Sequence, residues 1–169
     1  VNDISTSIDI DAPADVVYRV LTDFERYSEW NPHTRISGRA EEGTRLRVSP
    51  GPEAGRTPTF RPRVLRADEN RELRWLGHLY VRGLFDGEHR FLVEDRGDGR
   101  SRLVQSESFD GLLAGPILRR IGADTEANFR GVNSALKARA ESLWAEATEA
   151  TEATETNDAR DPAVDGASD

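Results

Sequence analysis

The chain has 169 residues, of which 32% are charged and 36% hydrophobic, with no Cys and a formal net charge of -8. This length predicts one domain with a sizeable core, and the missing Cys excludes disulfides, a thiolate nucleophile and a zinc–thiolate site. No apolar run is long enough to span a bilayer, so no stable membrane insertion is expected, and the Val1-Asn-Asp start, without a basic and apolar leader, predicts a cytoplasmic protein.

Ile4, Thr6, Ile8 and Ile10 alternate with polar residues, the pattern of a half-buried strand. Pro13 suits the first turn of a helix, and Asp15 suits the positive end of its dipole. Val16, Val17, Val20 and Leu21 then form an apolar stripe at helical spacing. Asp23 is placed to cap a second short helix over 24–29, which Asn31-Pro32 ends.

From residue 34 the period becomes two. Strands are predicted over 34–39, 44–49, 59–67, 71–81, 86–94 and 101–109. Turns at 41–43, 68–70, Gly83 and 97–99 and a Pro/Gly loop over 49–58 separate them, which makes an antiparallel meander. From Pro116 the period returns to 3.6: Leu118, Ile121, Thr125, Phe129, Val132, Leu136, Ala140 and Leu143 predict one helix of about 28 residues. Gly122 and Gly131 inside it point to a bend or a close approach to the sheet.

The charge is unevenly spread. Residues 141–169 hold nine acids and one base, whereas 1–140 hold 22 of each. An uncharged body is a poor nucleic-acid binder, so no nucleic-acid partner is expected. The Ala-Thr-Glu repeat over 147–155 has no apolar stripe and reads as a solvated acidic tail. The expected domains are a folded body over 1–145 and an acidic disordered tail over 146–169.

The order strand, helix, helix, six strands, long helix, with "IDIDAPADVVYRVLTDFERYSEWNPH" over 8–33, resembles the START-like (SRPBCC) superfamily. Within it, the polyketide cyclase/dehydrase and lipid-transport group is the nearest likeness. "LFDGEHRF", "QSESFDGLL" and "NFRGVNSALKARAE" are further matching pieces, and the resemblance covers about residues 3–142. It implies an α+β helix-grip fold, with a curved antiparallel sheet of about seven strands wrapped around the long C-terminal helix. It also implies an internal cavity for a small hydrophobic or lipid-like molecule.

Strand parity then selects the inward residues. Phe85, Gly87, His89, Phe91 and Val93 share one face, and Leu103, Gln105, Glu107 and Phe109 share another. A partly desolvated His beside a carboxylate can serve as an acid–base pair, which makes His89 and Glu107 the catalytic candidates. The same two residues could instead hold a ligand by polar contact, or only satisfy each other as buried groups. Trp75 shares a face with Leu73, Gly77, Leu79 and Val81 and is placed to stack on a ligand or to fill the core. The candidate ligand set is Trp75, His89, Phe91, Gln105, Glu107, Phe109, Leu113, Phe129 and Trp30. Trp30 has the alternative of plugging the core at the end of the second helix. His33 could reach the cavity mouth, and His78 falls on a polar face. The connector 111–118 could gate the cavity or simply pack the start of the long helix.

The three His lie far apart, with no metal-ligand spacing, no phosphate-binding Gly motif and no nucleophile elbow, so neither metal nor cofactor is expected. Three functional classes remain: a carrier of a small hydrophobic molecule, a polyketide cyclase or dehydratase using the His/Glu pair, and an interaction module working through the acidic tail. The oligomeric state is not predicted.

Overall fold

The computed structural model describes residues 3–53, 58–78 and 81–158, the last three by backbone only. Strand β1 (Asp3–Ile10) leads into helix α1 (Ala14–Thr22), a 3-10 turn (Phe24–Arg26) and helix α2 (Tyr27–Trp30). Six strands follow: β2 (Thr34–Ser37), β3 (Arg47–Pro50), β4 (Arg63–Asp68), β5 (Glu72–His78), β6 (Asp86–Gly97) and β7 (Arg100–Asp110). Helix α3 (Ala114–Asp158) completes the fold.

Five strands form an antiparallel sheet in the order β1-β7-β6-β5-β4. The pair β2-β3 extends it. Arg45 bridges to Arg63 and Val48 to Phe60, and the Leu46 N–H donates to the Pro62 carbonyl at 2.9 Å. The second and third strands are shorter than the residue pattern predicts. Residues 39–44 turn instead, with the Thr44 hydroxyl donating to the Arg39 and Glu41 carbonyls at 2.8 and 2.7 Å. Leu79, expected on the face of Trp75, lies outside the described residues.

Helix α1 buries Val16, Val17, Val20 and Leu21, the stripe read from the sequence, together with Tyr18. Asp23 does not cap the next turn. Its backbone ψ of 73° leaves its side chain without a capping hydrogen bond, and its carboxylate lies 3.6 Å from Arg26 instead. Leu21, Leu73, Leu103 and Leu136 are fully buried in one large core. Each contributes roughly 2 kcal/mol of apolar transfer.

Helix α3 is 45 residues long, against the 28 that the stripe predicts. Packing accounts for the first part only. Its middle portion lies against β1 and α1, with Asn133 bonded to Thr6, Lys137 to Asp9, and Leu136 and Ala140 buried in the large core, and Gly131 meets His33 so closely that a Cβ would stand 2.4 Å from Nε2. The close approach expected at this glycine is therefore real, but it is made to the segment after α2. Gly122 has nothing within 4 Å. Residues 146–158, expected as tail, continue the helix, and the side chains described from Ala145 on are exposed apart from Thr148.

A staple ties α3 to the β1–α1 junction. Glu141 Oε1 accepts from the Asp11 N–H at 2.8 Å and from Lys137 Nζ at 2.6 Å, while the same Nζ donates to the Asp9 carbonyl at 2.7 Å. Burial pushes the Glu141 carboxyl up, but the bonds from Lys137 and Asp11 outweigh it and hold the group below its ordinary 4.5. A depressed carboxyl stabilises the fold fully above its unfolded pKa, and that contribution is lost as pH falls through the folded pKa. Glu141→Gln is therefore expected to be less stable than the parent at pH 7, with the two stability curves converging below about pH 4. Urea titrations at stepped pH measure this; a gap that persists at pH 2 would refute it.

Candidate functional site

The apolar interior is divided. The large core includes Trp75, Phe91 and Val93, while a smaller cluster joins Phe85, Phe109 and Ala114 with Ile4, Ile117 and Leu118. Polar side chains from β1, β6, β7 and α3 gather between them.

Register sets the centre of this belt. His89 stands directly opposite Glu107 on the β6–β7 ladder and directly opposite Trp75 on the β5–β6 ladder, and directly opposed side chains touch. His89 Nδ1 lies 3.3 Å from Glu107 Oε2, and Gln105 Nε2 lies 3.0 Å from His89 Nε2. With the Gln105 amide donating, Nε2 of the ring is an acceptor, and the ring proton sits on Nδ1, donated to the carboxylate. The imidazole is enclosed by aromatic rings. Trp75 stacks on it with centroids 5.1 Å apart and planes at 22°, Phe91 tilts against it at 4.6 Å, and Phe129 of α3 meets it edge-on at 4.9 Å. His89 is only 8% exposed.

Glu107 is the more open partner, with 19% of its side chain exposed. Gly87 makes room for it, since a Cβ there would stand 2.6 Å from Glu107 Oε1. Both ring nitrogens of His89 are engaged, so the carboxylate is the member of the pair that an incoming molecule can meet.

Two members of the belt were not singled out from the sequence. Asn133 Nδ2 donates to Thr6 Oγ1 at 2.9 Å, and both residues are buried. Thr6 pairs directly with Gln105 across β1 and β7. The available signals were a Thr on an inward face otherwise made of Ile, and an Asn four residues after Phe129 on α3.

The other expected residues fall elsewhere. Phe109 stacks on Phe85 at 5.3 Å in the smaller cluster. Trp30 packs edge-on against Tyr27 at 4.7 Å and lies against the large core. Leu113 is exposed on the connector, where its N–H donates to the Leu84 carbonyl at 3.0 Å. His78 is exposed, and His33 lies half-buried against Gly131. Outside the belt, a surface hollow of about 390 Å³ lies between residues that include Asp9, Asp11, Arg96 and Arg100. Its arginines already face acids: Arg96 lies 2.8 Å from Glu94 and Arg100 3.7 Å from Asp98. Among the described residues, no group of three or more His, Cys, Asp or Glu is placed to hold a metal, and no helix is long and apolar enough to cross a membrane.

A curved antiparallel sheet gripping a long C-terminal helix, with a polar belt between them, defines a START-like helix-grip protein. Residues 2–141 match the family described as polyketide cyclase / dehydrase and lipid transport, and the chain belongs to that family. Its fold is shared with solved structures of low sequence identity. One is the Zhui aromatase/cyclase from Streptomyces sp. R1128, at 23% identity and TM-score 0.65, covering 82% of this chain and 93% of that one. A START superfamily protein from Mycobacterium smegmatis aligns at 21% identity and TM-score 0.62, over 83% and 98% of the two chains. The hypothetical protein jhp0584 from Helicobacter pylori aligns at 16% identity and TM-score 0.67, over 82% and 87%. The comparison with curated proteins returned no match.

Proposed function

We propose that this protein binds a small, largely apolar molecule between the sheet and α3, with Glu107 as its open polar contact. The observation that carries this reading is the divided core: two apolar clusters flank a belt in which Trp75, Phe91 and Phe129 supply aromatic wall and a few polar atoms supply orientation. Ligand sites are commonly built in that proportion. Family membership supports the same reading, and so does the fold shared with a START superfamily protein. Titration with a neutral apolar fluorophore such as N-phenyl-1-naphthylamine, together with mass spectrometry of solvent extracts of the native protein, tests it. Saturable binding and a co-purifying molecule are expected; neither appearing would remove the proposal.

A second reading is favoured by the 3.3 Å His89–Glu107 contact. In it, Glu107 exchanges a proton with a bound polyketide-like substrate, and His89 positions the carboxylate, as in general acid–base catalysis. The Zhui aromatase/cyclase shares the fold. Glu107→Gln separates the two readings. For an enzyme, turnover of the co-purifying compound should fall about 100-fold or more while binding persists. Unchanged turnover in Glu107→Gln would rule out that role.

A further inference from the structure

Gln105 and Asn133 are each 2% exposed, and each has one polar atom with no partner among the described residues: Gln105 Oε1 and Asn133 Oδ1. Their amide nitrogens are both engaged, to His89 and to Thr6. Buried polar atoms in native proteins are nearly always matched, so two unmatched atoms of one kind in one place call for a common explanation. Thr6 links the two residues: it stands opposite Gln105 across the β1–β7 ladder and accepts from Asn133. Both unmatched atoms are acceptors. The neighbouring charged group of the belt, the Glu107 carboxylate, is an acceptor as well.

We propose that one of these two acceptors, Gln105 Oε1 or Asn133 Oδ1, receives the single O–H donor carried on the buried end of the bound molecule, so that the ligand class is an apolar or aromatic alcohol or phenol. A carboxylate entering by its head group would present acceptors to acceptors, with Glu107 repelling it. A pure hydrocarbon would leave both carbonyls unmatched. The inference rests on the binding reading above and deepens it, by assigning Gln105 and Asn133 as specificity residues for a hydroxyl.

Three probes of one shape test it by calorimetry on the full chain: 2-naphthol, naphthalene and 2-naphthoate. The expected result is 2-naphthol binding about tenfold more tightly than naphthalene, with 2-naphthoate no tighter than naphthalene. In the near-isosteric double variant Gln105→Met/Asn133→Leu, the naphthol preference should fall to about one while naphthalene binding is kept, which also shows that the variant is folded. Equal binding of 2-naphthol and naphthalene by the unmodified protein overturns the proposal without any variant, leaving the binding reading intact. A tenfold preference that survives the double variant also overturns it and moves the donor's partner elsewhere, to Glu107 first. Failure of all three probes to bind overturns both this inference and the binding reading.

Discussion

Phe129→Ala is expected to lower the unfolding free energy by about 3–5 kcal/mol, the range for removing a buried aromatic side chain. The ring is 5% exposed and meets His89 edge-on at 4.9 Å from one turn before Asn133. It belongs to neither apolar cluster, so its loss leaves a hollow beside the imidazole that few neighbours can refill. A hollow with apolar walls binds small apolar molecules. Benzene or naphthalene should therefore restore part of the melting temperature in a concentration-dependent way, as any ligand selective for the folded state does. Urea unfolding gives the first number and thermal melts with added ligand the second. A loss under about 1 kcal/mol would mean that the helix closes over the gap, and with it the packing role of Phe129 would fall.

The second large effect is expected at the hinge between sheet and helix. Gly111 has φ of +112°, a conformation that side chains rarely adopt. A Cβ there would stand 2.6 Å from the Leu84 carbonyl oxygen and 2.9 Å from that of Gly83. Those two carbonyls accept the Leu113 and Leu112 N–H groups at 3.0 and 3.2 Å, which holds the connector against the 81–84 turn. Gly111→Ala should cost about 3 kcal/mol or more, since strain and backbone collision add. Gly83→Ala is the control: φ is +84°, but nothing lies within 4 Å, so only the conformational cost of about 1–2 kcal/mol applies. Circular dichroism melts of the pair should separate by several degrees, and equal melting points would show that the collision is relieved by movement of the turn.

The order of elements was legible because it rests on local periodicity. Alternation at β6 and β7 alone placed His89 and Glu107 on inward faces, and the stripe at 16–21 gave the buried side of α1. Their mutual contact was not legible, because parity fixes a face and not a register. Register comes from the Gly97-Asp98-Gly99 turn, all three residues at positive φ, and from the irregularity between Asp95 and Gly97. The Thr6–Asn133 bond spans 127 residues, so no local pattern announces it. The length of α3 was missed for another reason. An apolar stripe reports what packs, whereas extension of an existing helix needs only residues with fair helix propensity, and Ala and Glu supply it.

That extension has a geometric consequence for the acidic segment. Its Ala-Thr-Glu unit repeats every three residues, whereas a helical turn takes 3.6, so each unit falls about 60° behind the one before. Glu146, Glu149, Glu152 and Glu155 therefore wind around the axis and spread over roughly half its circumference. The threonines wind with them: Thr148, Thr151 and Thr154 each return their hydroxyl to the carbonyl four residues back, at 2.9 Å. The negative charge is thus presented as a spiral ribbon, and a flat basic surface laid along the helix would face only part of it at any one orientation.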